Sequence, residues 1–125
     1  MTSDLTLDTL AFKLVYSDKN GSLRRETSRG ATLPEELTIR HTTVIDNISK
    51  LSTRRSNVKL DRYMSVDGDG NTAPIVASLT VAVPQAGAAI TSSDILAAVQ
   101  RLITLLQEDD SGLDLMDEIF VNNEQ

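Results

Sequence analysis

Alternating apolar and polar residues predict strands over much of the first two thirds of the chain. Residues 9–17 have the period-two pattern of a half-buried strand, and its apolar face consists of Leu10, Phe12, Leu14 and Tyr16. Asn20-Gly21 comes next and predicts a hairpin, because a type I′ turn needs positive φ at both central positions. Residues 22–29 are polar on both faces and therefore predict an exposed edge strand.

Three later segments, residues 37–46, 57–66 and 75–83, show the same alternation. The last is the most regular, and its apolar positions are Ile75, Ala77, Leu79, Val81 and Val83. Residues 47–56 predict a loop or bend, and the glycine-rich residues 67–72 predict a hairpin loop. Arg62 is a charge at an apolar position of its strand, for which the sequence offers no explanation.

The pattern changes to a helical one at about residues 92–107, and a shorter helix is predicted at about 112–121. Thr91, Ser92 or Ser93 is the candidate N-cap, with Asp94 favourably placed in the first turn. The first helix has far more apolar surface than packing on one sheet requires; its apolar residues are Ile95, Leu96, Ala97, Ala98, Val99, Leu102, Ile103, Leu105 and Leu106. Strands at about 9–83 followed by two helices predict an α+β fold. The excess apolar surface predicts a homodimer in which each helix packs on the partner's sheet.

Composition and charge narrow the functional classes. A length of 125 residues predicts one domain, residues 1–125, and the absence of cysteine excludes disulfides and cysteine zinc sites. The net charge is −6, yet residues 1–62 hold 11 of the 12 Lys and Arg residues. This balance argues against nonspecific binding of nucleic acid, and DNA is not expected as a partner, but a local basic face is possible. Residues 71–93 contain two prolines, so no membrane span is expected.

The outward positions of the three regular strands form a candidate RNA-binding face. Cationic side chains can neutralise phosphates, hydroxyl and amide groups can reach phosphates or base edges, and an aromatic ring can stack on a base. The candidates on the strands are Thr38, Arg40, Thr42, Asn57, Lys59, Tyr63, Ser78 and Thr80, with Arg54 and Arg55 in the preceding bend. The alternative interpretation is that these are ordinary solvent-exposed strand residues.

Other chemical signals are weak. His41 is the only histidine and lies at an inward position, which favours a core residue over a catalytic one. Asp67, Asp69 and Asn71 have the first spacings of a calcium loop, but Ser78 stands where the final glutamate is needed. Turn formation is therefore the better interpretation, and a calcium ion shared between subunits is the alternative. No nucleophile and base can be assembled. We therefore predict no enzyme activity, no cofactor and no metal site.

The order of elements resembles the coat proteins of the small single-stranded RNA bacteriophages, the leviviruses. The chain opens with a hairpin, and the basic, alternating residues 54–66 are similar to a central strand of those coats. Residues 77–84 form a strand that ends at proline and leads into the long helix, and residues 112–125 are similar to their terminal helix and tail. The resemblance covers essentially the whole chain and is most specific over residues 74–120.

The resemblance implies an interlocked homodimer with one continuous antiparallel sheet, and dimers that assemble into an icosahedral shell around genomic RNA. The sheet face turned to the interior would bind an RNA hairpin and repress translation of the replicase. The loop at residues 67–74 would change conformation around the shell's symmetry axes. The protein would be found in the virion, after assembly in the cytoplasm of a bacterial host.

The chain departs from that family where an aromatic residue and an asparagine contact the hairpin, because Val76 and Ser78 occupy the matching positions. Asp61 also stands where a basic residue is expected and would repel phosphate. Recognition of the RNA is therefore expected to be altered. The alternative to a coat protein is a cellular homodimeric α+β module whose polar sheet face binds a protein or a small ligand.

Overall fold

A computed structural model describes residues 3–45, 48, 50, 52–85, 89–107, 109–110, 113–114 and 117–121. The chain divides into two compact units, Met1–Gln85 and Ala86–Gln125. The first holds an antiparallel sheet and the second a helix. In the described ranges, no helix has the length and apolar character needed to cross a membrane.

The sheet has six strands, and each pairs with its neighbour in sequence. The strands are β1 (Leu5–Leu7), β2 (Leu10–Asp18), β3 (Gly21–Glu26), β4 (Glu35–Ile45), β5 (Ser52–Ser65) and β6 (Thr72–Pro84). All of these pairs are antiparallel, as short connections between consecutive strands require. The predicted α+β class, with five or six antiparallel strands before a helix, is confirmed.

The pairing register defines two faces, because directly opposed residues of a ladder lie on the same face. The apolar face carries the aligned row Leu37, Leu60 and Ala77 on β4, β5 and β6. The polar face carries the next row, which consists of Thr38, Lys59 and Ser78. The alternation in the sequence predicted both rows.

The prediction that residues 22–29 form an exposed edge strand is wrong. β3 lies between β2 and β4, and its Ser22, Arg24 and Glu26 are buried on the apolar face. The edges of the sheet are β6 and β1, a strand that the sequence analysis did not predict.

Hydrogen bonds explain how such polar side chains can be buried. Arg24 has no exposed surface, and it donates from Nη1 to the Ser22 hydroxyl at 2.7 Å and from Nε to the Ser3 carbonyl at 2.9 Å. A buried charge is tolerated when its donors are satisfied in this way. Phe12 and Leu37 are the buried hydrophobic residues of the described chain, so this small core is partly polar.

Arg62 receives its explanation from the same region. Its Nε lies 3.1 Å from Glu35 Oε1, and Arg29 Nη2 lies 3.9 Å from the same oxygen. Glu35 is buried and Arg62 is directly opposite it in the β4–β5 ladder. The charge at an apolar position is therefore the partner of a buried carboxylate.

Glu26 is opposite Glu35 in the β3–β4 ladder. Hydrogen bonds from Ser28, through its side chain and its backbone, hold the pKa of Glu26 below the ordinary value, although burial opposes this effect. A nearby Arg29 acts in the same direction as the hydrogen bonds. The local bonding therefore favours the ionised form of this buried carboxyl group.

An irregularity in β2 moves one predicted residue to the other face. The β2–β3 register shifts between Leu14 and Tyr16, which are opposite Arg24 and Leu23 respectively. Because a bulge inserts one residue into the strand, Leu14 stays on the apolar face while Tyr16 moves to the polar face. The predicted placement of Tyr16 beside Leu14 is therefore wrong.

The prediction of a loop or bend at residues 47–56 also differs from the structure. β5 already begins at Ser52, and the Ser52 carbonyl accepts a bond from the backbone N–H of Gln85 at 2.8 Å. Pairing with strands on both sides outweighs the low strand propensity of this polar segment. The predicted hairpin loop at 67–72 lies between β5 and β6, where Gly68 and Gly70 have positive φ, a conformation that glycine adopts without strain.

The second unit contains α1 (Ser92–Gln107). The Thr91 hydroxyl accepts a bond from the Asp94 backbone N–H at 3.3 Å, and the Asp94 carboxylate accepts bonds from the Thr91 N–H and hydroxyl. This reciprocal capping box identifies Thr91 as the N-cap and lowers the pKa of Asp94 through the hydrogen bonds from the Thr91 backbone and hydroxyl. No residue of α1 is buried, and Leu96 is 66% exposed.

The predicted second helix at 112–121 is only partly present. Two short strands, β7 (Asp109–Asp110) and β8 (Leu113–Asp114), pair with each other. A π-helical turn covers Asp117–Val121. So short a segment has few internal hydrogen bonds to stabilise a regular helix. The remaining residues of the predicted helix lie outside the described ranges.

Candidate nucleic-acid interface

Two adjacent rows form the centre of the polar face. Thr38, Lys59 and Ser78 are aligned across β4, β5 and β6. The neighbouring row is formed by Arg40, Asn57 and Thr80. With strands about 4.8 Å apart and same-face residues about 6.6 Å apart, these six side chains cover a small patch that carries two cations.

Hydrogen bonding organises this patch. Asn57 Nδ2 donates to the Thr80 hydroxyl at 2.9 Å, across the β5–β6 ladder. The amide oxygen of Asn57 and the hydroxyl hydrogen of Thr80 are not used by that bond, so the pair presents one acceptor and one donor. Such a pair can address a base edge or a phosphate.

Lys59 shares its charge with an acidic neighbour. Its Nζ lies 3.4 Å from Asp61 Oδ2, and both residues lie on the polar face. Beside Asp61, Glu36 pairs with Arg25 at 3.5 Å. The end of the face towards Asp61 is therefore electrically balanced, and the unbalanced positive charge lies towards Arg40 and Arg55.

Nine of the ten predicted RNA-binding residues lie on the polar face. Thr42 and Arg55 form a third row beyond Arg40 and Asn57. Tyr63 is on the same face opposite Pro74, but four residues along the strand place it about 13 Å from Lys59. The structure brings the other polar-face candidates together and leaves Tyr63 at the far end.

Arg54 is the exception. It is opposite Thr43 and Val83, on the apolar side of the sheet, whereas Arg55 is opposite Thr42. The two adjacent arginines therefore point to different faces, as consecutive residues of a strand must. Placing them in a bend concealed this difference.

Tyr16, Lys13 and Arg25 also belong to this face, which the sequence did not predict. Tyr16 is 45% exposed and belongs to the row of Thr38 and Lys59 through Leu23. The one available signal was the uninterrupted run Leu14, Val15 and Tyr16, which breaks the alternation where the bulge occurs. Tyr16 gives the face an exposed aromatic ring in the same row as Thr38, two strands away.

The segment with the first spacings of a calcium loop, residues 67–71, forms a hydrogen-bonded turn. Asp67 Oδ1 accepts the Asp69 backbone N–H at 2.8 Å, and Asp67 Oδ2 accepts the Asn71 amide at 2.5 Å. These bonds, that of Asn71 first, lower the pKa of Asp67. In the described ranges, no group of three His, Cys, Asp or Glu residues has a metal-binding arrangement. The carboxylate of Asp67 serves the turn.

His41 was predicted to be a core residue, but it is exposed in this chain. Its Nδ1 lies 2.8 Å from the Ser56 hydroxyl, its neighbour across the β4–β5 ladder. The contact orients the imidazole at the edge of the apolar face.

Comparisons with known proteins identify the fold. No family model matches the chain, and no curated protein matches its sequence. The chain is similar to the coat protein of bacteriophage EMS014, at 22% identity over 89% of this chain and 77% of that one, with a TM-score of 0.69.

Two further solved structures are similar over the whole length. The virus-like particle of Wenzhou levi-like virus 4 matches with 14% identity over 100% of this chain and 84% of that one, with a TM-score of 0.68. An unassembled bacteriophage coat-protein dimer, described as an RNA-binding dimer, matches with 11% identity over 99% and 96%, with a TM-score of 0.64. The fold is that of the RNA-phage coat proteins, which confirms the resemblance seen in the sequence.

Proposed function

We propose that this chain is the coat protein of a single-stranded RNA phage: a non-enzymatic subunit that dimerises, assembles into a closed icosahedral shell in the virion and binds RNA on its polar face. The observation that carries the proposal is the coat-protein fold itself, extending over nearly the whole chain. An open sheet edge and exposed apolar surfaces support the dimer, and a continuous polar face supports RNA binding.

The open edge is β6, which supports the dimer. Because Gln85 N–H bonds to Ser52 and residues alternate along an antiparallel ladder, the even-numbered residues of β6 direct their backbone groups away from β5. Within this set, Pro74 and Pro84 have no N–H, and four amides lie between them, those of Val76, Ser78, Thr80 and Ala82. A long edge of this kind is a template for pairing with another strand.

The apolar surfaces support the same dimer. Ile75 on β6 is 60% exposed and Val58 on β5 is 42% exposed, although both lie on the apolar face. α1 likewise has no buried residue. In the proposed dimer, each α1 covers the partner's apolar face, and both apolar surfaces leave water.

Dimerisation through β6 would also join two polar faces. The central rows of each chain end at Ser78 and Thr80 on β6, so the same rows of a partner would continue directly across the two-fold axis. The cations Arg40, Arg55 and Lys59 would be present twice. This arrangement suits an RNA hairpin, whose phosphates flank a set of unpaired bases.

We further propose that binding of the hairpin by the coat protein represses translation of the replicase. The polar face offers donors, acceptors and cations at spacings set by the sheet, which is the chemistry that sequence-specific recognition needs. Val76 and Ser78 cannot stack on a base, so recognition would depend on Arg40, Asn57 and the Tyr16 ring instead.

The test is gradient sedimentation of purified recombinant protein, with nucleic-acid absorbance recorded and the fast fraction imaged by electron microscopy. With two Tyr and no Trp, the protein absorbs weakly, so RNA dominates the signal. Uniform, fast-sedimenting particles that contain RNA are expected. A small species without RNA would contradict the proposal and favour the cellular α+β module.

Charge-removal variants test the RNA-binding face separately. Arg40→Ala combined with Lys59→Ala should lower the RNA content of the particles without preventing assembly. The matched control is Lys50→Ala with Arg101→Ala, which removes the same charge from exposed positions outside the polar face. Equal RNA content in both double variants would refute the role assigned to Arg40 and Lys59.

A further inference from the structure

A cavity lies in the first unit at the end of the β2–β3 hairpin. Its volume is about 650 Å³, within the range of about 300–1,000 Å³ that is usual for sites of small ligands. The residues that line it come from β2, the hairpin turn, β4 and β5; they are Tyr16, Asp18, Lys19, Asn20, Gly21, Ser22, Arg40, His41, Thr42, Thr43 and Arg54. We call this cavity the notch.

The notch exists because β3 is shorter than β4. The β3–β4 ladder ends at Gly21 opposite Arg40, while β4 continues to Ile45. The His41 N–H donates to the Asn20 carbonyl at 2.8 Å, so by alternation the backbone groups of Thr43 are directed towards the open side. The notch therefore combines side chains with an unpaired strand edge.

The hairpin turn that bounds the notch is held in place. Asp18 Oδ1 accepts the backbone N–H groups of Asn20 and Gly21 at 2.8 and 3.0 Å. Gly21 is required there, since a Cβ on it would lie 2.1 Å from the Ile39 carbonyl oxygen. The one carboxylate of the notch is thus engaged in the turn.

The charges of the notch favour an anion. Lys19, Arg40 and Arg54 contribute three cations against Asp18. Arg40 belongs to the polar face and Arg54 to the apolar face, and both line the notch, so the cavity receives a cation from each face of the sheet. Guanidinium groups bind phosphate through paired N–H donors, and this pair can hold one phosphate between them.

The remaining lining suits a base and a sugar. Tyr16 is half exposed and offers a ring face, and aromatic rings stack on bases of any sequence. Thr42 and Thr43, which are both exposed, supply hydroxyl groups that can bond to a ribose. Phosphate, ribose and base would each find a suitable partner within one cavity.

We propose that the notch is a subsite for one unpaired nucleotide of RNA, with its phosphate between Arg40 and Arg54 and its base on Tyr16. The proposal rests on the proposed function and extends it: a single strand leaving the polar face passes around the open edge of β4. This explains why a cation is useful at Arg54, which the polar face does not include.

The experiment is photochemical cross-linking in assembled particles that contain RNA substituted with 5-iodouridine, which couples to aromatic rings on which it stacks. After tryptic digestion and mass spectrometry, a cross-link is expected on the peptide of residues 14–19, which contains Tyr16. Its yield is compared with that of the peptide beginning at Tyr63. The ratio separates the notch from RNA binding in general.

Arg54→Gln should lower that ratio by about tenfold, the lower end of the loss expected for one charged contact to phosphate. Lys50→Gln is the matched control, because it removes the same charge from an exposed position outside the notch and the polar face and should leave the ratio unchanged. Tyr16→Phe should retain the cross-link and Tyr16→Leu should abolish it.

Two results would overturn the proposal in distinguishable ways. RNA-filled particles with cross-links elsewhere but none on residues 14–19 would refute the notch and leave the coat function standing. Particles without RNA, or no particles, would refute the proposed function and the subsite with it. An equal effect of Arg54→Gln and Lys50→Gln on the ratio would also count against the notch.

Discussion

The two ends of the apolar face differ in how they are covered. On β2–β4, Phe12 and Leu37 are buried and even Arg24 is fully enclosed. On β5 and β6, Val58 and Ile75 lie on the same face and remain exposed. One chain therefore completes the first region from its own residues, whereas the second presents apolar side chains to water.

This difference distinguishes the region that stabilises the fold of a single chain from the region that is available to a second chain. A partly polar core is stable when its hydrogen bonds are made internally, as those of Arg24 are. Exposed Ile and Leu side chains contribute stabilising free energy only when another surface removes them from water. The proposed dimer would use the β5–β6 region and α1 as its interface, while β2–β4 stabilise the chain itself.

The largest expected effect is on the enclosed region. Phe12→Ala should reduce the free energy of unfolding by about 3–5 kcal/mol, because it removes a buried ring and leaves a cavity. Urea denaturation measures this change. Ile75→Ala is the matched substitution in the open region and should leave unfolding of the isolated chain within about 0.5 kcal/mol. Equal losses in the two variants would remove the distinction between the regions.

The next effect concerns association. Leu102→Asp should raise the dissociation constant of the dimer by roughly a hundredfold or more, since it places an unpaired charge in an apolar interface. Sedimentation velocity measures the species present. Thr104→Asp, an exposed position of the same helix, should dimerise normally. A stable dimer of Leu102→Asp would show that α1 does not cover the partner.

A smaller effect is expected at Glu35, which binds Arg62 and Arg29. Glu35→Gln should cost about 1 kcal/mol of unfolding free energy, a value reduced from that of a buried ion pair because Arg62 is half exposed. Thermal or urea unfolding measures it. Glu36→Gln, which breaks the more exposed pair with Arg25, is the control and should be nearly neutral; the reverse order would contradict the assignment.

The smallest effect is a pH dependence of α1. The pKa of Asp94 is lowered in the folded chain by its bonds to Thr91, so this carboxylate stabilises the helix above its unfolded pKa of about 4. That stabilisation is lost as the pH falls through the folded pKa. Far-ultraviolet circular dichroism should show a loss of helix below about pH 4 that is smaller in Asp94→Ala. Identical titrations would exclude the capping contribution.

The sequence predicted β4, β6 and the later part of β5 well, because each has one polar and one apolar face. Their register then placed nine of the ten candidate residues on one surface without any further assumption. The same reasoning failed for β3, where Ser22, Arg24 and Glu26 are polar but buried. Alternation records polarity, and it contains no information on whether a charge will find a partner across the sheet.

For the candidate site, the sequence likewise did not show on which face Tyr16 and Arg54 lie. Tyr16 reaches the polar face through a bulge that only the pairing of β2 with β3 reveals. Arg54 and Arg55 were assigned together because residues 47–56 are polar, and only the start of β5 at Ser52 separates them. Both errors concern the strand register, which depends on neighbours that are distant in sequence.

The central claim is that a second chain completes the open region, and amide hydrogen exchange on β6 tests it most directly. The backbone N–H groups of Val76, Ser78, Thr80 and Ala82 are directed away from β5, so in an isolated chain they lack a strand partner. If β6 pairs with its copy, these four amides will exchange as slowly as those of Ala77 and Leu79, which bond to β5. Rapid exchange of the four beside slow exchange at Ala77 and Leu79 would contradict the account.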